Sequence, residues 1–199
     1  MKMIFSKVLP VSALVLLLTF SVNAFGQADN AMVTDVTVNM LTWVKHLNND
    51  VDKYFNREKA DDLKQQLEFF KQDLKNYMKT RKALSDSLFR NNIAPGKKDE
   101  TNLEILKIKM SAVMERARGV SDLVGEELQK EGDNLNNQLY KVLYEDQGRY
   151  LSYLEAFLAG IDVTKKELAV DGSVCYTRLE ECTTLITTLE GKIDRKMKK

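Results

Sequence analysis

Leu63, Leu67, Phe70, Leu74, Tyr77, Arg81, Leu84 and Leu88 follow one another at alternating intervals of four and three residues. That spacing keeps all eight side chains on one narrow seam of an α-helix. A strand cannot use it, because alternate residues of a strand point to opposite faces and the set would be scattered. A seam this long has to be buried by other helices, so the pattern dictates an all-α fold with coiled-coil-like packing. Between its members stand Lys64, Gln65, Glu68, Lys71, Gln72, Asp73 and Lys75, a solvated face. Arg81 is the one charged member. Its stem is expected to pack on its neighbours while its head reaches water or a carboxylate on a facing helix.

Similar seams recur along the chain. Leu41, Val44, Leu47, Val51 and Tyr54 form an earlier stripe whose phase fails at Glu58, Asp61 and Gln65. A break near Asn56 therefore separates a first helix over about 32–55 from a second over about 58–90. Asn91-Asn92-Ile93-Ala94-Pro95-Gly96-Lys97-Lys98 concentrates turn chemistry and predicts a loop. Thr101 and Glu104 have the spacing of a capping box, which starts a third helix carrying Leu103, Leu106, Met110, Val113, Ala117, Val120 and Val124. Gly132 followed by Asp133 is expected to end it, with a short join to an antiparallel neighbour. Leu135, Leu139, Val142, Leu143, Tyr150, Leu154, Phe157 and Ile161 mark a fourth helix, interrupted at Asp146 and Gly160. Asp171-Gly172-Ser173 reads as the last turn, before a fifth helix with Leu179, Cys182, Leu185, Ile186, Leu189 and Ile193. The expectation is an elongated antiparallel up-and-down bundle of four to five long helices. Two prolines and nine glycines in 199 residues suit it.

The N-terminus carries a separate message. Lys2 and Lys7 precede an apolar run from Val8 to Phe20, and small residues at Val22 and Ala24 come before the first acid, Asp29. The run is too short to span a bilayer, which takes ~20 apolar residues, so residues 1–28 are expected to be a secretory signal peptide that is cleaved. Residues 29–199 then form a single helical domain, periplasmic or secreted. Removing Lys2 and Lys7 shifts the formal charge from +1 to −1, a balance that gives no pull toward nucleic acid. The one basic concentration is Lys192, Arg195, Lys196, Lys198 and Lys199, which complements the negative end of a helix.

Known chemical constellations are not found. His46 has no second histidine or cysteine at ligand spacing, and the Glu-x-x-His pairs of di-iron bundles and the Cys-x-x-Cys-His of haem attachment do not occur. Acids at Asp50, Asp52, Glu58, Asp61 and Asp62 invite a calcium loop. Counted from Asn48, however, the positions that need glycine and a bidentate acid hold Lys53 and Lys59. No nucleophile elbow, phosphate loop or dinucleotide fingerprint is present. No catalytic residue, cofactor, metal or small-molecule substrate is therefore expected.

Two features invite a functional reading. Tyr140, Tyr144, Tyr150 and Tyr153 are four of the seven tyrosines and fall within a few helical turns. Tyr140 and Tyr144 share a face at i,i+4 and are the candidate partner-binding residues, whereas Tyr150 and Tyr153 lie nearer the core stripe. Cys175 and Cys182, in an oxidising compartment, are expected to pair. Seven residues of continuous helix, however, set their Cα atoms about 10.5 Å apart, beyond the roughly 7 Å a disulfide bridges. Three resolutions stay open: the chain folds back between them, both thiols stay free, or each bonds another chain. The functional expectation is an exported, non-catalytic structural or adaptor component of a cell-envelope assembly, with a protein partner or a homo-oligomeric contact. The outline of signal peptide and long amphipathic hairpins is similar to that of minor pilus-type subunits of conjugation or secretion machines. A periplasmic holdase is the other alternative, with Met78, Met110 and Met114 as adaptable contacts.

Overall fold

The computed structural model describes residues 36–90, 97–144, 149–161 and 163–199. The expected signal peptide and positions 91–96 of the expected loop lie outside them. Among the described residues the chain is all-α, with no strand. In order come α1 (Val36–Asn49), α2 (Val51–Tyr54), a 3-10 turn (Arg57–Lys59), α3 (Ala60–Arg90), α4 (Lys97–Ser121), α5 (Glu126–Tyr144), α6 (Arg149–Leu158) and α7 (Lys165–Met197).

The break near Asn56 is built by Asn56 itself, whose side chain accepts the Glu58 N–H at 2.9 Å and caps the 3-10 turn. The chain has already bent at Asp50, so the first expected helix is two pieces. All eight seam residues of α3 are buried, Arg81 included. Each leucine withdrawn there stabilises by about 1.5–3 kcal/mol relative to exposure.

α3 packs most extensively on α7. Lys64 pairs with Asp194 at 2.5 Å, Lys71 with Glu190 at 2.6 Å, and Arg81 with Asp171, so partners descend along α7 as numbers climb along α3. Burial works against the charge on Lys71, but its bonds to Glu190 and Glu68 outweigh that and raise its pKa. On the other flank of α3 lies α4, with Arg116 3.3 Å from Asp73. α5 returns along α4. α1 closes the gap between α5 and α7, through His46 and Glu131 at 2.8 Å, Asn39 and Gln138 at 2.7 Å, and Lys45 and Glu181 at 2.9 Å. Trp43 of α1 enters the core edge-on to Phe70 and donates its indole N–H to Leu128 O at 3.0 Å.

Several boundaries differ from expectation. The third helix begins at Lys97, so Thr101 lies inside it rather than capping it; Asp99 and Glu100 already occupy its first turn, at the positive end of the dipole. It ends at Ser121, not at Gly132, and positions 122–125 make the join. Gly132 is a buried interior residue of α5, where an added Cβ would sit 2.4 Å from Ser121 Oγ and 3.0 Å from Trp43 Cζ2. It is there for close approach, not for a turn. Asp171-Gly172-Ser173 is likewise interior to α7, and Gly172 faces Ser85, whose Oγ would lie 2.5 Å from an added Cβ. The capping box belongs instead to Thr164 and Glu167, which satisfy each other's amides at the start of α7. The expected fourth helix is two helices, α5 and α6, and positions 145–148 lie outside the described residues. α6 stops at Gly160, in the left-handed region at φ +80, with Ile161 N–H donating to Ala156 O at 2.8 Å. Ile161 itself is exposed.

Candidate functional site

Tyr140 and Tyr144 lie one turn apart on the outer side of α5, their ring centroids 4.9 Å apart and tilted by 45°. They remain 49% and 59% exposed. Tyr150 is buried and Tyr153 packs against the core, so only the first two form a surface pair.

Beside Tyr140 a groove runs between α4 and α5, with a volume of about 300 Å³. α4 lines it with Ser111, Met114, Glu115 and Arg118, and α5 with Asn136, Asn137 and Tyr140. The leucines of α5, Leu128, Leu135 and Leu139, serve the core, and Asn136 and Asn137 line the groove. Both polar atoms of the Asn136 carboxamide are shielded from solvent and have no hydrogen-bond partner among the described residues. Leaving a buried polar atom in that condition costs about 1–3 kcal/mol, and native structures hold few of them. The sequence did carry a signal for this site. Asn134, Asn136 and Asn137 crowd a helix interior, where asparagine is a poor helix former.

A second polar cluster is sealed in the core. The Arg81 guanidinium pairs with Asp171, bonds the Tyr77 hydroxyl at 3.3 Å and stacks 3.8 Å from the Tyr150 ring centre. The Tyr150 hydroxyl meets Ser85 Oγ at 2.5 Å, and burial pushes its pKa up despite the nearby Arg81 charge and the Ser85 bond. The expected carboxylate on a facing helix is thus Asp171. With the pair 1% and 3% exposed, this cluster joins α3, α6 and α7 rather than meeting a solute.

The remaining sequence candidates are dispersed. Both cysteines are buried on α7, neither is in a disulfide, and the helix is unbroken between them. This removes the resolution in which the chain folds back. Burial raises the Cys182 thiol pKa, which suppresses the reactive thiolate at neutral pH. His46 is half-exposed against Glu131. Two members of the basic tail are engaged by other elements: Lys192 donates to Asn48 O at 2.6 Å, and Lys196 pairs with Asp52, holding that carboxyl below its usual range, while Arg195 bonds Gly191 O of its own helix. Met78 and Met110 are core, and Met114 alone reaches the groove. Among the described residues no group of three metal-ligand side chains converges, and no described helix is long and apolar enough to cross a membrane. No protein-family model, curated protein or solved structure matches the chain.

Proposed function

We propose that this chain is an exported, non-catalytic protein that serves a cell-envelope assembly as a structural or adaptor component, through protein–protein contacts. The observation that carries the reading is the exposed Tyr140–Tyr144 pair beside a groove with an unsatisfied carboxamide. Tyrosine offers large contact area for little lost entropy and is enriched where interfaces draw their energy. In this reading residues 1–28 are removed on export and residues 29–199 work in the periplasm or outside the cell. The helices then make an elongated antiparallel up-and-down bundle with coiled-coil-like packing, which meets partners along its sides. The lengths of α3 and α7 favour that shape: 31 and 33 residues extend roughly 46 and 50 Å.

The test is affinity isolation of the mature protein from its native envelope, beside a variant with Tyr140→Ala and Tyr144→Ala. Partner recovery should be lost in the variant while its melting temperature stays within about 2 °C of the parent, as for an ordinary surface change. Recovery of the same partner by both proteins contradicts the tyrosine assignment. Terminal sequencing of the recovered chain should place its start between Phe25 and Asp29, and a full-length chain contradicts cleavage.

A further inference from the structure

We propose that a second copy of this chain covers the outer face of α4, the two α4 helices lying parallel and in register about a two-fold axis. The inference is independent of the tyrosine reading, which concerns α5. α4 carries two apolar rows. Leu103, Leu106, Met110 and Val113 belong to the one that faces the core, and they are buried. Ile105, Ile108 and Ala112 form the other, at intervals of three and four residues. The described residues leave this second row largely open: Ile105 is 40% and Ile108 69% exposed, with Ala112 half-buried. A helix that served one bundle alone would carry polar residues on that side.

The charges beside the row select the occupant. In heptad terms Ile105 and Ile108 take the two core positions, so Glu104 stands on one flank of the row and Lys109 on the other. In a parallel, in-register pair each helix sets its first flank against the second flank of its partner, with residues five apart opposed. Glu104 then meets Lys109 of the second copy, and the two-fold axis repeats the contact in reverse. An antiparallel pair sets like flanks together, Glu104 near Ser111 and Lys109 near Asn102, and leaves both charges unanswered. Both are open to such a partner. Lys109 has no ion pair or hydrogen bond among the described residues, and Glu104 stands 3.6 Å from Lys107, which is already paired with Glu155. With α3 on one side of α4 and α5 on the other, there is room for one partner helix. That favours a dimer over the higher bundles that isoleucine at both core positions otherwise allows. The row ends at Glu115, the next core position, where two copies would oppose like charges. The contact is therefore short, from Thr101 to Ala112.

Sedimentation equilibrium of the mature protein reads the association directly. The parent should dimerise reversibly as its concentration rises. Ile105→Ser together with Ile108→Ser should weaken dimerisation at least tenfold, while the melting temperature of the dilute monomer stays within about 2 °C of the parent. Glu104→Lys should weaken it at least fivefold, and adding Lys109→Glu to the same chain should restore it to within twofold of the parent, which apolar packing alone would not do. Ala112→Cys should yield a covalent dimer on mild oxidation through the introduced thiol, because equivalent positions meet in the parallel register, whereas in an antiparallel pair Ala112 faces Thr101. A parent that stays monomeric throughout overturns the proposal. So does an isoleucine variant that dimerises as the parent does, a charge reversal that the second reversal fails to undo, or association in which Ala112→Cys forms no cross-link. A monomeric parent that retains another protein through the two isoleucines also overturns it and gives the face to a different partner. None of these outcomes bears on the tyrosine assignment, which is read from partner recovery by the α5 variant.

Discussion

Arg81 is the residue on which the core's electrostatics turn. A guanidinium and a carboxylate taken out of water repay their desolvation only while both are present, so removing one is far more damaging than replacing the pair. Arg81→Met should destabilise by about 3–5 kcal/mol in urea unfolding. Arg81→Met combined with Asp171→Leu should recover most of that loss, and two additive losses would show that the pair is not the source. The sequence exposed half of this arrangement: Arg81 is the odd member of an otherwise apolar seam, but Asp171 sits beside Gly172 and Ser173, where it imitates a turn. Tyr150 and Cys182 make the alkaline side of the stability curve predictable. Burial raises both pKa values in the folded chain, so the folded state keeps protons that the unfolded state releases above about pH 8.5 for the thiol and about pH 10 for the phenol. Their contribution is fully present at neutral pH and is lost as pH rises. Each group should remove up to about 1.4 kcal/mol per pH unit above its unfolded value. Unfolding midpoints in urea at pH 7, 9 and 10.5 should fall in that order, and Tyr150→Phe should flatten the last step.

At the scale of the element, the seams were legible and the punctuation was not. The alternating four-and-three spacing of α3 and the apolar positions of α4 and the second half of α7 predict buried faces that the packing bears out, because burial acts on every turn of a helix at once. Helix ends depend on single residues that have more than one use. Thr101-x-x-Glu104 and Thr164-x-x-Glu167 carry the same pattern, yet only the second caps a helix, since the first is overrun by a helix that starts at Lys97. Glycine has the same ambiguity. Gly172 lets α7 lie against Ser85 of α3, whereas Gly191, on the same helix, has nothing within 4 Å of an added Cβ. Gly172→Ala should therefore destabilise by more than 1 kcal/mol, an overpacking cost, and Gly191→Ala should stabilise by roughly 0.5–1 kcal/mol through helix propensity. Equal effects of the two in thermal unfolding would mean that α3 and α7 do not approach closely at Gly172. The groove between α4 and α5 was hidden for a related reason: periodicity finds apolar faces, and Asn136 is a polar residue whose carboxamide is buried between two helices.

Across the whole molecule, α3 and α7 are shared by two unlike ends. α1 and α5 complete one, with Trp43 wedged between Phe70 and the Leu128 carbonyl; α6 completes the other, through Tyr150, Leu151, Leu154 and Phe157. α6 has 10 residues, fewer than the ~12–15 at which an isolated helix becomes even marginal in water. Its helicity is lent to it by the surface it rests on, and its polar fastenings are the Tyr150 hydroxyl on Ser85, the Tyr150 ring under Arg81 and Glu155 paired with Lys107. That dependence sets an order of opening. Amide hydrogens of α6 should exchange with solvent at a free energy well below that of global unfolding, while those at the centres of α3 and α7 should exchange only when the whole chain unfolds. Tyr150→Phe should widen the gap, and a single exchange free energy for all three helices would refute it. The protein would then breathe first at α6, which begins five residues after Tyr144 and touches α5, so that its loosest element adjoins the exposed tyrosine pair and each opening would reach the edge of that face.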